Sequence, residues 1–190
     1  LGKLHNQLVH ESLRLSRLVE NVLELSRLEE GRRVLRPELG DLVAAVKTVV
    51  EEQRAFVEEK GFELGAPKHE GSLELSFDLQ AVNQIVVNLI DNAVKYGGGD
   101  SINRVEVDVE PTATGAAIVV SDYGSGVPIS ERNRVFERFR RIESPERQHM
   151  PGTGIGLSLV RELARAQGGD AEIRESPSSE GCKVIVFLPI

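Results

Sequence analysis

Two pairs of neighbouring strand segments constrain the fold more than any other feature of the chain. RVEVDVEP (104–111) is followed after four residues by AAIVVSD (116–122), and DAEIRES (170–176) is followed after five by CKVIVFLP (182–189). Connections this short join antiparallel strands, because a parallel pair requires a crossover of about a dozen residues or more. The two pairs therefore predict two hairpins within one largely antiparallel sheet.

Helical segments separate the remaining strands. Amphipathic patterns predict helices over 41–61, capped by Asp41 and ended by Gly61, over 78–97, beginning at Asp78, and over 152–169. Short strands are predicted at 33–39, on a sheet edge because of Pro37, and at 62–66 and 73–77. Hairpins combined with several helices predict an α+β fold, in which helices cover one face of a mixed, mostly antiparallel sheet.

The first 31 residues follow a different pattern. Residues 3–30 contain no glycine or proline and predict one long helix that ends at Gly31. Apolar residues repeat every seven positions in two rows, one at Leu1, Leu8, Leu15 and Val22 and the other at Leu4, Leu18 and Leu25, where Glu11 is the one break. This spacing is typical of a coiled coil, so we expect partner helices from a second chain. The alternative is that the helix packs on its own downstream domain. We divide the chain into 1–31 and 32–190.

Composition excludes several classes of protein. A net charge of −7 over 190 residues gives no basic surface for nucleic acid. No apolar run approaches the roughly 18 residues that a membrane helix needs, so we expect no membrane contact by these residues. A single cysteine, Cys182, excludes an internal disulfide and fits a reducing, cytoplasmic compartment.

Three motifs carry polar groups suited to a phosphorylated ligand. Asn88 and Asn92 lie on one face of a predicted helix, where amide oxygens suit Mg²⁺ and Lys95 can reach a phosphate. Hydrogen bonds from these asparagines to nearby backbone are the alternative. Asp122 ends an apolar strand ahead of Gly124 and Gly126, which suits a carboxylate that accepts from an exocyclic amine or, alternatively, a simple turn.

The third motif, GTGIGLSL (152–159), places three glycines at a predicted helix start, where free amides and the helix dipole favour phosphate. A dinucleotide-binding motif is excluded, because the glycine spacing differs from that motif and no strand leads directly into the turn.

Together these segments resemble the ATP-binding catalytic domain of sensor histidine kinases, in the superfamily that includes gyrase, Hsp90 and MutL. NLIDNAVKY (88–96) is similar to the N box, DYGSGV (122–127) to the G1 box, VFERFRR (135–141) to the F box and GTGIGLSL to the G2 box. The resemblance implies the Bergerat ATP-binding fold, a two-layer α/β sandwich, with ATP and Mg²⁺ as ligands.

The resemblance also implies individual roles. Asn92 and Asn88 would hold the metal, and Asn92, Lys95 and Arg141 would act in catalysis, with residues 140–151 as an ATP lid. The nucleotide-binding residues that it implies are Asn88, Asn92, Lys95, Tyr96, Asp122, Gly124, Gly126, Gly152, Thr153, Gly154, Gly156 and Leu157.

The N-terminal helix extends the resemblance. RLSRLVENVLELSRLEEG (14–31) is similar to the second helix of the dimerisation and phosphotransfer hairpin of these kinases, whose first helix carries the phosphoacceptor histidine. His10 precedes Glu11 but lacks the following Thr-Pro or Asn-Pro, and neither it nor His5 fits the acceptor position. We therefore expect a parent kinase that is a homodimer and that passes phosphate from ATP to a histidine outside this sequence, then to an aspartate of a response-regulator receiver domain. These 190 residues alone are expected not to autophosphorylate.

Other functions remain as alternatives. One is a regulatory nucleotide-binding scaffold with a degenerate site, although the asparagine, aspartate and glycine positions are all filled. Another is a serine kinase of the anti-sigma-factor type, which the long N-terminal helix disfavours. An ATPase clamp would need a transducer domain, and no residues here are left to form one.

Overall fold

The computed structural model describes residues 2–98, 103–142, 152–175 and 181–190, and of residues 2–11, 13, 14 and 17 it describes the backbone alone. The elements in chain order are α1 (Gly2–Glu29), β1 (Glu38–Asp41), α2 (Leu42–Glu59), β2 (Glu63–Gly65), β3 (Glu74–Phe77), α3 (Leu79–Tyr96), β4 (Arg104–Thr112), β5 (Gly115–Asp122), 3₁₀ turns at Ile129–Glu131 and Arg134–Phe136, α4 (Gly156–Ala166), β6 (Asp170–Glu175) and β7 (Cys182–Pro189).

Five strands form the main sheet in the order β2-β4-β5-β7-β6. Both predicted hairpins are present, since β4 pairs antiparallel with β5 and β6 pairs antiparallel with β7. The short strand β2 is parallel to β4, so the sheet is mixed but mostly antiparallel, as predicted. A separate two-stranded sheet of β1 and β3 was not predicted. The α+β prediction is confirmed.

The helices α2, α3 and α4 cover one face of the main sheet and form the core with it. The largest fully buried side chains include Leu42 of α2, Ile85 and Leu89 of α3, and Leu159 and Leu163 of α4. A smaller apolar cluster lies on the opposite face, where Ala117 and Val119 of β5 pack with Ile185 and Phe187 of β7. The strand β5 is therefore buried on both faces, and it ends at Asp122.

Aspartate caps explain where two helices begin. Asp41 accepts from the backbone N–H of Val43 at 3.0 Å, and Asp78 accepts from that of Ala81 at 2.8 Å, which satisfies amides that the first turn leaves open.

Two predicted boundaries are wrong. The strand predicted at 33–39 begins only at Glu38, after Pro37, and α4 begins at Gly156 rather than at Gly152, because residues 152–155 form a loop.

The long N-terminal helix is confirmed as one continuous element, and its two apolar rows differ in burial. Leu25 is buried and Leu18 packs against the hydrophobic core, which matches the alternative that the helix docks on its own domain. Leu15 and Val22, from the other row, are 58% and 40% exposed. The side chains of His5 and His10 lie outside the described residues. None of the described helices has the length and apolar character needed to cross a membrane.

A carboxylate anchors the start of β6 to α4. Asp170 accepts from Arg161 Nε at 2.8 Å, and Arg161 stacks on the ring of Phe136, with 4.7 Å between guanidinium carbon and ring centroid. The hydrogen bond from Arg161 lowers the pKa of Asp170 to about 2, against the desolvation that raises it.

Replacement of Asp170 by asparagine is expected to destabilise the fold at neutral pH and not at pH 2. The folded-state pKa lies below the unfolded value of 3.8, so the stabilisation is complete above about pH 5 and disappears as pH falls through 2. Because the side chain is 47% exposed, solvent screening reduces the effect to about 0.5–1 kcal/mol. Urea unfolding of the unaltered chain and of Asp170→Asn between pH 2 and pH 7 measures this loss of stability. A difference in the free energy of unfolding that is independent of pH would contradict the prediction.

Candidate functional site

The two asparagines predicted to lie on one face of α3 line one wall of a pocket. Asn88 is 9% exposed, and its side-chain N–H group donates to the Gln84 carbonyl at 2.8 Å while its Oδ1 accepts from Asn21 Nδ2 at 3.2 Å. Asn92, one turn later, has a buried Nδ2 without a hydrogen-bond partner in the described part of the chain. A buried polar atom of this kind normally has a partner, so Asn92 is placed to bind a polar group within the pocket.

The last turn of α3 adds a charged pair and an aromatic ring. Lys95 forms an ion pair with Asp91, and both residues line the pocket. Tyr96 Oη lies 2.6 Å from the position that a Cβ on Gly152 would occupy, so a side chain there would displace the end of the Tyr96 ring from the loop before α4. An ammonium at this place can approach an anion within the pocket while remaining near Asp91.

Asp122 lies at the other end of the pocket and is 8% exposed. Its Oδ1 accepts from the backbone N–H of Gly124 at 3.0 Å and of Cys182 at 3.1 Å. These two bonds hold the carboxylate at the junction of β5 and β7, among the apolar pocket residues Val120 and Val184. A carboxylate that is fixed in apolar surroundings can accept a hydrogen bond from an amine on a flat ring.

The amino end of α4 faces the asparagines. A Cβ on Gly156 would lie 3.3 Å from Asn88 Oδ1 and 3.3 Å from Asn92 Nδ2, so the absence of a side chain there keeps the space between the helices open. No side chain caps this helix, whose first residues line the pocket. The open first-turn amides and the helix dipole favour an anion at this position.

Two arginines from the F-box segment (135–141) line the same pocket as the asparagines and Lys95. Arg140 lines the pocket and donates to Glu131 Oε2 through two nitrogens, at 2.8 and 3.2 Å, and this hydrogen bonding lowers the pKa of Glu131. Arg141 lines the same pocket. The rest of the predicted lid, residues 143–151 with Arg147 and His149, lies outside the described residues.

The structure brings together nearly all the residues that the motifs predicted. Those that line the pocket are Asn88, Asn92, Lys95, Tyr96, Asp122, Gly126, Arg141, Gly152, Thr153, Gly154, Gly156 and Leu157. The exception is Gly124, which is not among the lining residues and donates its backbone N–H to Asp122 Oδ1. A nucleotide contact by Gly124 stays a prediction.

Several pocket residues were not predicted. Ile173 of β6 and Val184 of β7 supply apolar lining from strands far along the chain, which no local motif indicates. Cys182, by contrast, follows the last glycine, where the resemblance to sensor kinases implies a place near the base, and it lies in the pocket beside Asp122. Asn21 reaches the pocket from α1, where it occurs in a helical pattern with no sign of a ligand site.

The donor groups fit a magnesium ion that is shared with a phosphorylated ligand. In the described ranges, no group of three or more His, Cys, Asp or Glu side chains is arranged to hold a metal. The side-chain oxygens of Asn88 and Asn92 both border the space beside Gly156, at 3.3 and 3.6 Å from the position of a Cβ there, while the unpartnered Asn92 Nδ2 is a donor that suits a phosphate oxygen. Mg²⁺ commonly takes one or two protein oxygens and completes its shell with phosphate and water, which matches this sparse set.

Comparison with known proteins identifies the family. Residues 77–190 match the model of the histidine kinase-, DNA gyrase B- and HSP90-like ATPases. The chain belongs to this family. The match begins at the last residue of β3 and includes α3, the hairpins, α4 and every pocket residue except Asn21.

Within this ATPase family the similar proteins are histidine kinases. Hybrid signal transduction histidine kinase D of Dictyostelium discoideum is 30% identical over 179 residues, 93% of this chain and 12% of that protein. Sensor protein kinase WalK of Staphylococcus aureus is 27% identical over 179 residues, 94% of this chain and 42% of that protein. The chain thus spans less than half the length of these relatives.

A solved structure shows the same arrangement of elements. Full-length ShkA in complex with AMPPNP superposes with a TM-score of 0.75 at 26% identity, over 93% of this chain and 36% of that one. By its family and its relatives, the chain is a histidine kinase ATP-binding catalytic domain.

Proposed function

We propose that the pocket binds ATP with Mg²⁺ and that the domain presents the γ-phosphate to a histidine outside this sequence. The observation that carries the proposal is the division of one pocket into two ends. A fixed, buried carboxylate lies among apolar side chains at one end, and amides, cations and an open helix N-terminus lie at the other. A nucleotide whose base carries an exocyclic amine, such as ATP, combines an amine on a flat ring with an anionic tail.

Each end of the pocket has its own task in this proposal. Asp122 accepts a hydrogen bond from the exocyclic amine of adenine, while Val120 and Val184 contact the ring. Gly152, Thr153 and Gly154 leave backbone amides accessible beside the phosphates, and the amino end of α4 contributes its dipole. The AMPPNP bound in the related ShkA crystal supports the assignment of the ligand.

The polar end positions the phosphate for transfer. Mg²⁺ would supply charge neutralisation and orientation at the phosphate oxygens, and Asn92 with Asn88 would hold it. Lys95 and Arg141 balance the remaining negative charge. Transfer breaks the bond between the γ-phosphorus and the oxygen of the leaving ADP and forms a bond to the imidazole nitrogen, which loses its proton. Positioning and charge neutralisation account for most of the acceleration in phosphoryl transfer.

The partners of this activity follow from the same proposal. The parent protein acts as a homodimer in the cytoplasm, and its phosphohistidine passes the group to an aspartate of a receiver domain. The names of the relatives, which include sensor and hybrid kinases, support this sequence of transfers. A degenerate scaffold is disfavoured, because the pocket retains both its carboxylate and its asparagine pair.

Calorimetric titration of the chain with ATP tests the proposal. We expect binding in the presence of Mg²⁺ that weakens in EDTA, and we expect Asn92→Ala to lose about tenfold in affinity with Mg²⁺ and little in EDTA. The matched control is Asn83→Ala, on the same helix but outside the pocket lining. If the unaltered chain shows no binding of ATP, or if both variants lose affinity equally, the pocket assignment is wrong.

A further inference from the structure

The face of α1 that docks on the catalytic domain is polar as well as apolar. Leu25 is 5% exposed, and beside it Glu24 is 6% exposed while Asn21, one turn earlier, is half-buried. A helix that is held only by its leucine row would not bury a carboxylate, because burying a charge is costly unless it is paired. The polar residues therefore have specific partners in the domain.

Asn21 contacts the centre of the site helix. Its Nδ2 donates to Asn88 Oδ1 at 3.2 Å across 67 residues of sequence, and Asn21 itself lines the pocket. With Asn88 Nδ2 bound to the Gln84 carbonyl at 2.8 Å, both ends of the Asn88 carboxamide have defined partners. The amide orientation, oxygen towards Asn21 and Gly156 and nitrogen towards Gln84, follows from the two bonds together.

Glu24 fixes where α1 lies relative to the beginning of the same helix. Arg33 Nη1 lies 2.6 Å from Glu24 Oε1, and Arg33 Nη2 lies 3.6 Å from Asp78 Oδ1, with all three side chains at most 17% exposed. Asp78 is the N-cap of α3 and also accepts from the backbone N–H of Arg36 at 2.8 Å. The ion cluster of Glu24, Arg33 and Asp78 thus sets the position from which Asn21 reaches Asn88.

We propose that Asn21 is a positioning residue of the nucleotide site, acting through Asn88 and supplied by α1 rather than by the catalytic domain. The inference rests on the proposed function. Asn21 keeps the Asn88 oxygen directed towards the space between Asn92 and Gly156, where it would serve as a ligand of the magnesium ion. Without this donor the Asn88 carboxamide can turn, and a turned amide presents N–H hydrogens to the cation.

Asn21→Ala is expected to weaken ATP binding only when Mg²⁺ is present. The affinity for ATP with Mg²⁺ falls about threefold to tenfold, the factor that one neutral hydrogen bond provides, while affinity in EDTA stays unchanged. In an Asn88→Ala background the same replacement has no additional effect, because two residues acting through one contact are not additive. Asn21→Gln, which retains an amide donor, recovers part of the lost affinity.

Titration of the 190-residue chain with ATP, with Mg²⁺ and with EDTA, tests the inference, and thermal unfolding of each variant without ligand accompanies it. The control is Ser26→Ala, on the same helix and outside the pocket, where the hydroxyl donates to Glu30 Oε1 at 3.3 Å. An unchanged or tighter affinity of Asn21→Ala with Mg²⁺, or an equal loss in EDTA, overturns the inference. If the unaltered chain binds ATP normally in that case, the proposed function stands; if it binds no ATP, both fail.

Discussion

Replacement of Asp122 by asparagine is expected to reduce ATP affinity about 100-fold or more while the chain remains folded. The asparagine oxygen can still accept from the backbone N–H groups of Gly124 and Cys182, which bond Asp122 Oδ1 at 3.0 and 3.1 Å. The other side-chain atom changes from an acceptor to a donor and faces the adenine amine, also a donor. Loss of a charge-assisted hydrogen bond together with a buried unpaired donor accounts for about 3 kcal/mol.

The matched control for this variant is Asp108→Asn. Asp108 also accepts from two backbone N–H groups, those of Val109 at 2.9 Å and Lys68 at 3.2 Å, but it does not line the nucleotide pocket. Calorimetry should find its ATP affinity within about twofold of the unaltered chain. Thermal unfolding separates lost binding from lost structure. An Asp122→Asn variant that binds ATP within threefold of the unaltered chain would show that the carboxylate does not contact the base.

Replacement of Gly124 by alanine is expected to destabilise the fold by about 3 kcal/mol or more. A Cβ at this position would lie 2.1 Å from the Tyr96 carbonyl oxygen and 2.8 Å from Gly97 Cα, and both contacts are with backbone. The end of α3 must therefore move away from β5. Gly124 does not have a positive φ angle, so the cost is steric overlap and not backbone strain. Urea unfolding monitored by circular dichroism measures the change.

Gly65→Ala serves as the control for steric overlap. Its Cβ would meet nothing closer than 3.7 Å, so we expect a change within about 1 kcal/mol. Because Gly124 positions both Asp122 and the end of α3, its alanine variant should also bind ATP weakly at temperatures where it is still folded. Equal stabilities for the two alanine variants would mean that the contact with Tyr96 adjusts easily.

The elements that the sequence predicted are those with strong local signals. Alternating apolar residues and short connections define both hairpins, and aspartate caps define the starts of α2 and α3. The errors have a common cause. The pairing of β1 with β3 joins segments about 35 residues apart, and the late start of α4 depends on contacts of the preceding loop with Tyr96 and Phe139. Neither the strand pairing nor the loop contacts produce a periodic pattern in the sequence.

The candidate site was predicted almost completely because its polar residues occur in compact motifs. Asn88 with Asn92 and Asp122 with Gly126 are close in sequence; their chemistry allows a phosphate and an amine as partners, and the resemblance to sensor kinases selects these over a backbone contact or a simple turn. Asn21 and Ile173 come from distant elements, and they enter the pocket only because α1 and β6 pack against it. Long-range packing is the part of the site that local spacing does not encode.

The close approach of Gly124 to the end of α3 also determines the distance between Asp122 and the asparagines of α3. Asp122 is two residues from Gly124 along the backbone, and Asn92 is one turn of rigid helix from Tyr96, whose carbonyl Gly124 touches. These contacts fix the separation between the carboxylate and the asparagines in the structure. If the pocket binds ATP as proposed, a nucleoside or nucleotide whose anionic tail is too short is expected to contact one end of the pocket or the other but not both, so affinity should depend on the extent of an adenine compound as well as on its base.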